Sequence, residues 1–138
     1  MNRNTSYKLG IALAAVALAF GVGVAVGQQN PPTENKGVKV SPPTVLDLSQ
    51  EIDSVQGRQL RLRVVTLEPG GVVGIHSHKG RPGVAYVLQG TLTESREGGA
   101  TEERHTGESW TEGKDTTHWA ENKGDKAVVV VAVDVFKP

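Results

Sequence analysis

The chain contains no cysteine. Disulfides, thiolate zinc sites, a thiol nucleophile and lipid attachment through an N-terminal Cys are therefore excluded. Aromatic residues are scarce, at 4% of 138 positions. There is no excess of charge of either sign: Lys+Arg and Asp+Glu both number 15. Nucleic-acid binding draws on clustered Lys and Arg, and a balanced chain offers no such field. No repeat of fixed period and no amphipathic helical pattern stands out. Glycine, in contrast, is abundant, with 17 residues. Plentiful glycine without helical periodicity favours a turn-rich β protein. A mass of 14.6 kDa allows one domain.

The N-terminus reads as a separate object. Arg3 and Lys8 precede Leu9–Gly27, a run without a single charge. A positive start followed by an apolar stretch is the pattern of an export signal. Ala25 and Gly27 place small residues at −3 and −1 of a cleavage site after Gly27. The run also approaches the roughly 20 residues of a membrane helix, so an uncleaved anchor is the alternative. Either reading predicts a periplasmic or secreted protein, in contact with the membrane only if the segment is kept. Residues 28–43 hold four prolines and read as a linker or arm. Within it Val38 and Val40 alternate, as in a short edge strand.

Residues 44–138 read as one β domain. In Gln59–Leu67, Leu60, Leu62 and Val64 alternate with Arg61 and Arg63, the period of a half-buried strand. Glu68-Pro69-Gly70-Gly71 is expected to turn the chain into a strand over Val72–His78. Further strands are expected over Val84–Thr93, Thr101–His105, Glu108–Thr111, Thr117–Asn122 and Ala127–Phe136. The last is too rich in valine for a comfortable helix. Many short strands between turns imply a sandwich or barrel.

Four histidines are present. His76 and His78 flank Ser77, so on a strand they project from one face, with Cα atoms about 6.6 Å apart. Two imidazoles at that spacing can converge on one ion with bonds near 2.1 Å. The bland reading is a pair of surface histidines, and HxH alone is a weak motif.

The surroundings strengthen it. Gly70, His76, His78 and Gly90 resemble the first motif of the cupin family, G-x5-HxH-x(3,4)-E-x6-G. Gly107, His118 and Asn122 resemble the second, G-x5-P-x-G-x2-H-x3-N. Seven of the ten fixed positions match, which makes the pair specific where either alone is not. The resemblance implies an all-β double-stranded β-helix, or jelly-roll barrel, over residues 44–138. It also implies that His76, His78 and His118 hold a divalent metal ion, of which Fe, Mn, Zn, Ni and Cu all suit imidazole-containing sites.

There are departures. The carboxylate of the first motif falls at Gly83, and Arg81 and Tyr86 nearby are poor substitutes. Restoring it with Gly83→Glu is expected to tighten metal binding. Gly113 and Asp115 replace the Pro and Gly of the second motif and are expected to alter a turn. His105 matches neither motif and is expected at the surface. Trp110, Trp119 and Tyr86 are expected in the core rather than at a substrate mouth. Glu94, Glu97, Glu102, Glu103 and Glu108 read as solvated carboxylates.

The function that follows is an exported, metal-binding, single-domain cupin acting on a small molecule by dioxygenase-like or isomerase-like chemistry. The alternatives are a non-catalytic binder of a sugar-acid-like ligand and a structural module with a degenerate site. Catalytic residues are not identified by the pattern. A homodimer is expected, with the Val38–Val40 arm available to a neighbour's sheet.

Overall fold

The structure, a computed structural model, describes residues 30–138. The expected export segment, residues 1–27, lies outside the described residues. Nine strands run in chain order: β1 (Lys36–Val40), β2 (Thr44–Asp47), β3 (Gln59–Ser77), β4 (Gly83–Gln89), β5 (Thr91–Arg96), β6 (Thr101–His105), β7 (Ser109–Glu112), β8 (Thr117–Glu121) and β9 (Val128–Phe136). One short 3-10 helix, Leu48–Gln50, follows β2 and is capped by the Asp47 side chain on the Ser49 amide. The strands form one sheet of order β6-β5-β8-β3-β9-β4-β7, with β1 and β2 paired to β3. All pairings are antiparallel. The sheet curls into a nearly closed jelly-roll barrel.

Two expected boundaries moved. The Pro69-Gly70 turn is a bulge inside one long strand, β3. Gly70 takes a φ of 72°, and β1 steps from pairing with Leu67 to pairing with Val72 across it. A bulge lets a long strand bend around a barrel without ending. Conversely, Gly90, at φ 88°, divides the expected Val84–Thr93 strand into β4 and β5. The arm also has a place in the fold. Lys36–Val40 pairs with the chain's own β3, so this strand is used internally.

The interior is packed around Leu67, Ala85, Val87, Leu92, Trp110, Ala120, Val128 and Val130. Val87 is fully buried, and each such side chain contributes about 1.5–3 kcal/mol. Period-2 alternation holds along β3, but the face is the reverse of the one its leucines suggest. Val65 and Leu67 line the interior together with Arg63, while Leu62 is 39% exposed. The reason lies on β9: Arg61 stands opposite Asp134, which is 2% exposed. Arg61 donates twice to Asp134, at 2.9 and 2.7 Å. Arg63 and Arg81 reach the same carboxylate at 3.1 and 3.2 Å. A buried acid that gathers three guanidiniums outweighs the preference of leucine for the inside. Val84, Tyr86 and Leu88 lie exposed on the outer face of β4. Tyr86 is thus an outer-face residue rather than a core one, because buried Ala85 and Val87 fix the register of β4.

Candidate metal centre

The three motif histidines come together. His76 stands near the end of β3, directly opposite His118 on β8. His78 lies one residue past β3, where its amide donates to the Thr116 carbonyl at 2.9 Å. The turn that carries Thr116 is closed by a Thr116 amide bond to the Gly113 carbonyl, so the departures at Gly113 and Asp115 leave His118 in place. The Nε2 atom of His118 lies 3.0 Å from Nε2 of His76 and 3.0 Å from Nε2 of His78. His78 and His118 are buried, and His76 is half-buried.

The outer nitrogens set the tautomers. His76 Nδ1 donates to the Gly74 carbonyl at 2.9 Å, and His118 Nδ1 donates to Glu94 Oε1 at 3.0 Å. A carbonyl and a carboxylate only accept, so in the neutral rings both Nε2 atoms carry lone pairs. Two lone pairs facing each other at 3.0 Å form no hydrogen bond. They suit a cation between them: ligands at 90° around an ion with bonds near 2.1 Å stand about 3.0 Å apart. Burial is the main force holding both His76 and His78 down at about 4, with the Arg81 charge acting in the same sense. Neutral imidazoles are the form that ligates a metal. The donor set therefore fits a divalent ion.

Glu94 is a correction to the sequence reading. It is 1% exposed, not solvated, and it is held by Arg96 at 3.0 Å and by Arg104 at 3.0 Å. Burial alone would raise its carboxyl, but the bonds from His118 and Arg104 and the Arg96 charge outweigh this and hold it at about 2. An ionised acceptor on the far nitrogen of a ligating histidine fixes the ring and raises its basicity. Glu97, Glu102, Glu103, Glu108 and His105 are exposed, as expected. Trp110 is buried and Trp119 half-buried.

Glu112 was not singled out by the sequence. It is 7% exposed, with Oε2 3.4 Å from His78 Nδ1 and Oε1 3.6 Å from His118 Nε2. Trp110 Nε1 donates to its Oε1 at 3.2 Å. Burial pushes its carboxyl up, partly offset by His118 and by the Trp110 hydrogen bond. A stronger signal lay in its register partner, Gly83, the position where the carboxylate is missing.

The histidines open into a cavity of about 390 Å³, in the range of small-molecule sites. Its wall includes Arg63, Arg81, Trp110 and Glu112. Thr33 and Asn35 of the Pro-rich arm close one side. Asn35 Oδ1 accepts from the Gly74 amide at 2.9 Å, and the Pro32 carbonyl accepts from the Ile75 amide at 2.7 Å. Gly74 is required there, because a Cβ would meet the Thr33 backbone at 2.8 Å.

Known structures share this architecture at low identity. The protein TT1209 from Thermus thermophilus is 19% identical with a TM-score of 0.53, over 60% of this chain and 77% of that one. A predicted oxalate decarboxylase from Thermotoga maritima is 19% identical with a TM-score of 0.50, over 68% and 91%. An oxalate oxidase in complex with glycolate is 20% identical with a TM-score of 0.56, over 74% and 52%. These likenesses establish the fold. No curated protein matches the chain by sequence. The Cupin domain family matches residues 63–135, more than half of the chain, and with the barrel and the histidine group already in place this protein belongs to the cupin family.

Proposed function

We propose that this is a metal-dependent cupin that holds one divalent ion through His76, His78 and His118 and binds a small carboxylate-bearing molecule beside it. The observation that carries the first half is the pair of Nε2 lone pairs facing each other at 3.0 Å. A bound ion supplies Lewis acidity and, if redox-active, electron transfer. The chain's own residues supply the rest. Glu94 orients His118, and the Gly74 carbonyl orients His76. Arg63 and Arg81 place two guanidiniums in the cavity wall. With Arg61 they share one carboxylate, Asp134, so the wall keeps a net positive charge. Arg63 Nε is buried without a partner, and a ligand carboxylate would satisfy it. Glycolate in the related oxalate oxidase is a molecule of this class. The Arg3 and Lys8 start and the uncharged Leu9–Gly27 run support action outside the cytoplasm.

The test is calorimetric titration of the chain with glycolate and other two- to four-carbon acids, with and without Mn(II). Carboxylate binding is expected only with metal, and Arg81→Gln is expected to weaken it. A chain that takes up no divalent ion, or binds the acids equally well without one, would overturn the reading.

A further inference from the structure

Position 83 is where the family's first motif places its carboxylate, and this chain has no room for one there. A Cβ on Gly83 would stand 2.6 Å from the Val133 carbonyl oxygen and 3.1 Å from the Asp134 Cβ. The space is taken by the strand that delivers Asp134 to its arginines, since Gly83 pairs directly with Asp134 on β9. On its other side, Gly83 pairs directly with Glu112 on β7. Directly opposed residues of an antiparallel pair project from the same face, with Cβ atoms about 4.5–5.5 Å apart. Two residues along, Ala85 and Trp110 are likewise paired and both lie in the core, so this is the inward face.

We infer that Glu112 supplies the carboxylate ligand of the metal centre, displaced by one strand from its usual place. This rests on the three-histidine reading. Glu112 Oε1 is 3.6 Å from His118 Nε2, only 0.6 Å beyond the 3.0 Å that separates the histidine nitrogens. Among the described residues, no Lys or Arg nitrogen lies within 4.0 Å of it, whereas Glu94 and Asp134 each hold two or more arginines. A buried carboxylate without a cation costs stability, and a divalent ion at the histidines removes that cost. The indole of Trp110 fixes one oxygen by a neutral hydrogen bond and leaves the charge to be met. Three neutral imidazoles and one carboxylate then form a four-ligand protein set.

The experiment compares the full chain with Glu112→Gln, Glu112→Ala and His118→Ala. Each is titrated with Co(II) against a competing chelator, with the visible spectrum of bound Co(II) and the melting temperature of the metal-free protein recorded alongside. Expected are one Co(II) per chain, affinity lower by about tenfold or more in both Glu112 variants, and a changed Co(II) spectrum. Metal-free Glu112→Gln should melt no lower than the parent. Glu112→Gln keeps the size of the side chain beside His78 Nδ1 and an acceptor for Trp110, but loses the charge. Wild-type affinity and spectrum in Glu112→Gln, whether or not Glu112→Ala is weakened, would overturn the inference, because Glu112 would then only position His78 or do nothing. Equal affinity in wild type and His118→Ala would instead remove the three-histidine centre itself, and this inference with it.

Discussion

Asp134 and Glu112 are both buried carboxylates, the first behind the arginines of the cavity wall and the second in that wall, and they keep different company. Asp134 is met by Arg61, Arg63 and Arg81, and its carboxyl is held below the usual range despite burial. Glu112 is met by an indole N–H and two imidazoles, and burial raises its carboxyl. The first is an acid whose charge is more than met within the chain, and it ties β3, β9 and the loop before β4 together. The second is left open. The difference teaches where a small barrel puts structure and where it keeps chemistry: an acid that holds the fold is neutralised within the chain, and an acid left without a cation marks the place for something from outside.

The comparison breaks most plainly at Asp134. Asp134→Asn leaves three guanidiniums that are 19–27% exposed on the side chain sharing one neutral amide. A loss of about 3 kcal/mol is expected, the low end for a broken buried pair because the arginines keep some water, and urea denaturation measures it. Next in size is Gly83→Glu, where backbone contact is forced at 2.6 Å. A destabilisation of about 1–3 kcal/mol is expected, seen as a lower urea midpoint, and metal affinity is not improved. This reverses the expectation drawn from the motif alone. Glu94→Gln removes the charged acceptor behind His118. A fall of about 10- to 100-fold in metal affinity is expected by competition titration, with a smaller effect on folding.

Acid sharpens the same contrast. His76 and His78 sit at about 4 in the fold against 6.5 when free, so the unfolded chain binds more protons between those values. Their share of the stability of the metal-free protein is full above pH 6.5 and is lost as pH falls from there toward 4. Glu94, at about 2 against 4.5, adds a second loss as pH falls from 4.5 toward 2. A denaturant midpoint that stays flat from pH 7 to pH 4 would contradict this. Glu112 has the opposite sign: its raised carboxyl favours the protonated fold, so its contribution falls as pH rises through the folded value. The smallest expected effect follows: Glu112→Gln, metal-free at pH 7, melts slightly above the parent, while Asp134→Asn melts well below it.

How much of this was legible in the sequence depends on how far each feature reaches. His76, His78 and His118 were readable because two motifs of fixed spacing carry them, and β6 was placed at Thr101–His105 because turns bracket it. The inward face of β3 was not readable. Alternation gives the period, but Arg61 and Arg63 turn inward for Asp134, 73 and 71 residues away. Glu94 looked solvated because its neighbours in sequence are polar. Its burial comes from β5 lying between β6 and β8, which brings Arg104 and His118 to it. Glu112 was silent for the same reason: its relation to Gly83 exists only in the β4–β7 register.

The position of β9 in the sheet sets an order of events. It lies between β3 and β4, so it is the seam joining the β5-β8-β3 half, which carries the histidines, to the β4-β7 half, which carries Glu112. Its ladder joins residues 128–136 to residues 59–67, a long loop to close. Such non-local pairing is slow to form and leaves strand edges bare meanwhile. The β3–β8 pair assembles His76 opposite His118 without β9, but the cavity has no second wall until β9 zips in. Docking of β9, rather than ligand arrival, is thus the event that first creates the site.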